Sequence, residues 1–183
     1  MKVLNVTGYK SLEMGIFKES DPRIEFIKAA IEKRLKEFIE EGLEWVIVSG
    51  QMGVEMWAAE VVQQLQENYP IQLGIFPAFE NQANRWPEVL QMKYEELIMT
   101  ADFYKPLYAG DYRGPFQFQN RNIWFAEKSD ASLILIDEEH PGSVQYFYKT
   151  AKQQPDYPIY LITPMDLDEI VEGIRMQDPD YWL

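Results

Sequence analysis

The sequence predicts an α/β fold, a doubly wound and mostly parallel sheet with helices on both faces. Three observations carry that expectation. Short β-branched runs, above all Trp45–Val48 and residues 131–136, read as buried strands. Stretches such as Ile24, Ile27, Ile31, Leu35 and Phe38 place apolar residues at helical spacing, with Lys, Arg and Glu between them. The two kinds of segment alternate along the whole chain, the pattern of right-handed crossovers in a parallel sheet covered on both sides.

The elements follow in order. Residues 2–6 form a strand ending at Thr7-Gly8, and residues 9–20 have no periodicity and are expected as a loop. Asp21-Pro22 opens a helix, since Asp caps and Pro suits the first helical position, and Gly42 ends it. Residues 45–65 are a strand, a turn and a helix, with Val54, Trp57, Ala58, Val61, Val62 and Leu65 inward. Residues 71–76 are a third strand, followed by a polar loop over 78–85 and a helix from Trp86-Pro87. Residues 102–107 are a weaker strand, and 108–120, rich in Gly, Pro and aromatics, a functional loop. A helix over 122–128 leads to the best strand, 131–136, whose exit loop is 137–142. A helix over 143–152, a strand over 158–162 and a helix over 166–176 complete the pattern, and Tyr181-Trp182-Leu183 is expected to pack back. No repeat or linker divides residues 1–183, so one domain is expected.

Composition removes whole classes of chemistry. With 46% hydrophobic and 14% aromatic residues the chain has material for a sizeable core. It has no cysteine, so disulfides, zinc–thiolate sites and thiol nucleophiles are excluded, in keeping with a cytoplasmic location. The start, Met1 to Gly8, reads as a strand opening the domain rather than a leader, and no apolar run reaches membrane-spanning length. His140 is the lone histidine, so no histidine pair or cluster is available and no metal is expected. The net charge of −13 repels phosphate backbones and anionic membranes, which makes nucleic acid an unlikely partner but leaves room for a local pocket for a small anion.

In a doubly wound sheet the ligand sits beyond the carboxyl ends of the strands, where strand order reverses. The candidates are therefore Thr7, Gly8, Tyr9 and Lys10 after the first strand, Ser49, Gly50, Gly53 and Glu55 after the second, Pro77 and Phe79 after the third, and Asp137, Gly142 and Ser143 after the fifth. Ser49-Gly50-Gln51-Met52-Gly53 turns a strand into a helix through two glycines, leaving helix-terminal amides free to cradle a phosphate; a tight connection with nothing bound is the plain alternative. Asn120-Arg121-Asn122 opens a helix, where Arg121 can fork onto a phosphate or carboxylate and either Asn can cap the helix or read a base edge. Ser143 is either an ordinary N-cap or a second phosphate-facing residue. Glu55, in the first turn of its helix, complements the dipole, takes ribose hydroxyls or serves as an acid/base group. Phe79 and Trp86 stack on a base or simply cover the core edge. The Gly-x-Gly-x-x-Gly, Walker and Gly-x-Ser-x-Gly patterns are absent, which argues against ordinary dinucleotide, P-loop and esterase-type sites.

Two of these stretches also carry a resemblance. The run from Val48 to Ala59 resembles the glycine turn of the DNA-processing proteins DprA (Smf), and the run from Gln119 to Ala131 resembles their Arg-Asn-Arg stretch; Gly142-Ser143 falls where they have Ser-Gly-Ser. These belong to the SLOG superfamily, which joins DprA to the LOG phosphoribohydrolases in a Rossmann-like fold. Over its length, through Thr7-Gly8-Tyr9, Trp86-Pro87 and Asn120-Arg121-Asn122, the chain is most similar to the YpsA family. The resemblance implies a pocket for a nucleotide or ADP-ribose-like ligand at Gly50, Gly53, Glu55, Arg121 and Ser143, and no fixed cofactor. Binding or sensing of a nucleotide-like molecule is the leading expectation. Hydrolysis of an N-glycosidic bond with Glu55 as acid/base group comes second, because the Glu of the LOG Pro-Gly-Gly-x-Gly-Thr-x-x-Glu motif has no counterpart in residues 137–143. Single-stranded nucleic-acid binding of the DprA kind comes third, because the basic surface it uses is missing.

Overall fold

The structure is a computed structural model that describes residues 1–180; the expectation for Tyr181-Trp182-Leu183 lies outside the described residues. Six strands form one sheet: β1 (Val3–Thr7), β2 (Trp45–Val48), β3 (Gln72–Ile75), β4 (Phe103–Tyr104), β5 (Ala131–Leu135) and β6 (Ile159–Ile162). Their spatial order is β4-β3-β2-β1-β5-β6, and every neighbouring pair is parallel, with Leu4 opposite Val46 on one side of β1 and Val6 opposite Leu133 on the other. The helices are α1 (Pro22–Glu40), α2 (Val54–Leu65), α3 (Glu88–Thr100), α4 (Phe116–Lys128), α5 (Gln145–Gln153) and α6 (Pro164–Gln177).

Side-chain alternation along the strands sends residues to two cores. Leu4, Val6, Val46, Val48, Leu73, Ile75, Leu133 and Leu135 pack with residues of α1, α2 and α3. Ile47, Ile134 and Ile136 pack on the opposite face with Phe125 and Ala126 of α4 and Phe147 and Ala151 of α5. Local signals set the helix ends. The Asp21 carboxylate accepts from the Arg23 backbone N–H at 3.0 Å with Pro22 at the first helical position of α1, and Thr163 and Asp166 form a capping box at the start of α6. Asp130 accepts the backbone N–H groups of Lys2 and Val3 at 2.7 and 2.9 Å, which pins the entry to β1 beside the entry to β5.

Among the departures from the sequence expectation, three bear on the site. The loop over 9–20 contains a 3-10 turn, Ser11–Met14. The fourth strand shrinks to Phe103–Tyr104: Lys105 and Leu107 still donate to the Ile75 and Pro77 carbonyls, but Pro77 has no N–H to complete the ladder. Most consequential for function, α4 begins at Phe116 and not at 122. Gly114-Pro115 and the aromatic residues around them resemble a continuing loop, yet the buried Gln117 side chain accepts the Arg113 N–H at 2.8 Å and anchors the first turn.

Candidate functional site

Strand order reverses at β1: the chain moves to β2, β3 and β4 on one side and later returns to β5 and β6 on the other. A cavity of 340 Å³ lies at this reversal, between the carboxyl ends of β1 and β5 and the α4 and α5 helices. Its polar side is built from Thr7 and Gly8 at the end of β1, Lys10, Gln51, Glu55 of α2, Arg121 and Asn122 of α4, and Ser143. Its apolar side is Tyr112, Pro115, Phe118, Val144, Tyr146 and Phe147.

Glu55 is the most constrained of these residues. It is buried, and its Oε1 accepts from the Ser49 N–H at 2.6 Å and the Ser49 hydroxyl at 2.8 Å, while Oε2 accepts from the Thr7 hydroxyl at 3.2 Å. Burial pushes the Glu55 carboxyl pKa up, opposed by the charge of Arg121 and by the bonds from Ser49 and Thr7. Oε2 carries only one of these bonds and belongs to a residue that lines the cavity, so it can accept another hydroxyl.

Arg121 lies across the cavity in the second turn of α4. Its Nε and Nη2 donate to Asn122 Oδ1 at 3.2 and 3.0 Å, and the guanidinium sits 5.0 Å from the centre of the Phe118 ring. Among the described residues no carboxylate comes within 4.0 Å of it. Burial lowers its pKa and the Glu55 charge raises it. Nη1 is left with both N–H groups for a ligand.

At two turns that the sequence assigns to phosphate, several donors are taken by the protein itself. At the β2–α2 turn both Ser49 donors go to Glu55, and the Val54 N–H donates to the Tyr9 carbonyl at 3.1 Å. Gly50 faces Ile75 and Tyr94, away from the cavity. Gly53, at φ 100°, lies against the backbone of residues 9–11, where an added Cβ would stand 2.5 Å from Tyr9 O and Ser11 N. Its glycine therefore serves a close chain crossing. At the second turn, Ser143 donates from its N–H at 2.7 Å and its hydroxyl at 2.8 Å to Glu13, and Gly142 packs on Tyr9 and Glu13. Against the upward push of partial burial, the Lys10 N–H and these two bonds from Ser143 hold the Glu13 carboxyl below the usual range. Tyr9 fastens the same loop, donating to His140 O at 2.6 Å and accepting from the Asp137 N–H at 2.8 Å.

Of the residues expected from sequence, Thr7, Gly8, Lys10, Glu55, Arg121, Asn122 and Ser143 meet at the cavity. Ser49, Gly50, Gly53 and Gly142 support it from behind. Asn120 is exposed and donates to the Tyr108 hydroxyl at 2.6 Å, and with α4 starting at Phe116 neither Asn120 nor Asn122 caps the helix. Phe79 is buried behind Tyr112 and Phe118, and Trp86 packs edge-on against Tyr94. Sequence reasoning passed over Gln51, Tyr112, Phe118, Tyr146 and Glu13; only the aromatic richness of residues 108–120 hinted at the first wall. One group of metal-ligating types converges among the described residues, Asp137, Glu139 and His140, with ligand atoms within 4.8 Å on a largely exposed loop. No helix among the described residues is long and apolar enough to cross a membrane.

Comparison with known proteins agrees with this architecture. The chain is 64% identical over 183 residues to UPF0398 protein OB1025 of Oceanobacillus iheyensis, covering 100% of both. It is 45% identical over 176 residues to UPF0398 protein YpsA of Bacillus subtilis, covering 94% of this chain and 98% of that one. Among solved structures it superposes on DNA processing protein A from Helicobacter pylori, described for its single-stranded DNA binding mode, with a TM-score of 0.55 and 13% identity over 93% of this chain and 80% of that one. At that identity the match speaks for the fold. The YpsA family model, described as YspA SLOG family, matches residues 4–167, and the chain belongs to that family.

Proposed function

We propose that the chain binds a nucleotide-like small molecule in the cavity at the β1–β5 reversal. One observation carries this reading. In a protein of net charge −13, a half-buried guanidinium without a carboxylate partner faces a cavity that Lys10 also lines. A desolvated charge held without a partner is costly, and an anionic ligand group would compensate it. Glu55 is too constrained to move onto Arg121, and it would repel a phosphate. The phosphate belongs with Arg121 and Lys10, and the ribose hydroxyls with Glu55 Oε2. This moves the phosphate from the glycine turn, where the sequence places it, to the α4 side.

A thermal-shift screen against nucleoside monophosphates, cyclic nucleotides, ADP-ribose and ribose 5-phosphate tests the reading. Ligand at a hundredfold excess over Kd adds about 2.7 kcal/mol and raises the Tm of a chain this size by about 5–10 °C. No shift with any of these at millimolar concentration refutes it.

A second reading has support in Glu55. A buried carboxyl with a raised pKa beside the ribose position suits a general acid for N-glycosidic cleavage. Release of free base from a bound nucleotide, followed by chromatography, decides for it. The single-stranded DNA bound by the Helicobacter neighbour runs against the expectation drawn from net charge, so a short oligonucleotide belongs in the same screen. Binding that weakens steeply with salt would favour the nucleic-acid reading.

A further inference from the structure

A second cavity, of 490 Å³, adjoins the first beyond the ends of β3 and β4. Tyr112 and Phe118 line both. Together with Phe79 they form a triangle of rings with centroids 5.6–5.9 Å apart, a partition with one cavity on each side. Trp86, Arg85 and Gln82 also line the second cavity. Gln82 is 93% buried by its 7% exposure, its Nε2 donates to the Ser49 carbonyl at 2.8 Å, and its Oε1 is buried with no donor. A buried acceptor left without a donor is costly. The Ser49 that Gln82 holds is the residue that holds Glu55, so the two cavities share one hydrogen-bonded support.

We propose that the second cavity is the subsite for a planar heteroaromatic base bearing an exocyclic amino group, so that one ligand spans both chambers. This rests on the anion-binding reading of the first cavity. The anionic end pairs with Arg121 and Lys10, the sugar passes the Tyr112–Phe118 edge, and the base lies between that partition and Trp86. Aromatic faces on two sides favour a flat π-system over an aliphatic group. The amino group donates to Gln82 Oε1. That atom is sealed from water in the empty protein, so to meet the base the amide turns about its soft terminal torsion and exchanges the Nε2 bond to the Ser49 carbonyl for the bond from the ligand.

The test is calorimetric titration of four probes: ribose 5-phosphate, AMP, IMP, and purine riboside 5′-monophosphate, which lacks the amino group. AMP is expected to bind about tenfold or more tightly than ribose 5-phosphate, and the two analogues without the amino donor about tenfold more weakly than AMP. In Gln82→Met, AMP falls to the affinity of the purine compound while ribose 5-phosphate is unchanged. The ligand series keeps the test decisive even if Gln82→Met fails to fold, and Trp86→Leu gives a second variant, expected to weaken AMP, IMP and the purine compound alike and to leave ribose 5-phosphate unchanged. Ribose 5-phosphate and AMP binding equally well overturns the base subsite and leaves the anion site standing. AMP and IMP binding equally well overturns the Gln82 contact. No binding by any probe overturns both proposals.

Discussion

Replacing Arg121 with Met separates a ligand-binding role from a structural one. The guanidinium makes two hydrogen bonds, both to Asn122 Oδ1, and lies over one ring, Phe118. Losing these costs the empty protein about 1–2 kcal/mol, and removing a half-buried charge with no partner gives part of that back. The net change in stability is about 1 kcal/mol or less. A bound anion loses a charge-assisted pair worth about 1.5 kcal/mol or more per bond, so about 3 kcal/mol in all. That is about a hundredfold in Kd. Urea unfolding of the free protein and calorimetric titration with AMP measure the two quantities on one preparation. The reasoning predicts a small stability change beside a large affinity loss, with Arg121→Lys intermediate because it keeps charge without the planar fork. A variant destabilised by several kcal/mol that still binds AMP with the parent's affinity would refute it.

Other consequences follow from the same geometry. The raised Glu55 pKa means that its folded carboxyl holds a proton more tightly than the unfolded one; the stability it contributes is fully present below the ordinary value of 4.5 and is lost as pH rises through the folded value. Glu55→Gln should therefore flatten the fall in stability above pH 4.5, as read by urea midpoints across pH; an unchanged slope would rule Glu55 out as its source. Gly53→Ala should cost about 2 kcal/mol or more, because the new Cβ meets the backbone of residues 9–11 at 2.5 Å and the residue sits at φ 100°. An Ala variant as stable as the parent would count against the close crossing. Glu13→Ala should free the loop over 137–143, seen as faster amide exchange at Ser143, whose N–H now ends on Glu13.

The strands were legible because β-branched runs of four to six residues have few other uses, and the parallel order followed from their alternation with helices. The start of α4 was hidden by Gly114-Pro115, which punctuates loops and helix starts alike. Arg121 stood out between two asparagines, but its place in the second turn of α4, and so its direction, depended on that hidden start. The bonding of the glycine turn was hidden for a different reason. Two glycines in a strand-to-helix turn announce free amides, yet Glu55 folds back onto Ser49 and the Tyr9 carbonyl takes the Val54 N–H. The Glu13–Ser143 contact joins residues 130 positions apart, and no local pattern announces such a pair. Sequence thus located the rim of the sheet, and packing decided which donors on it remain free.

The most direct trial is a crystal structure of the protein soaked with AMP at millimolar concentration. The account predicts phosphate oxygens within hydrogen-bond reach of the Arg121 guanidinium and a ribose hydroxyl on Glu55 Oε2. Phosphate density at the Ser49–Gly53 turn with Glu55 displaced, or a cavity holding only water, would contradict it.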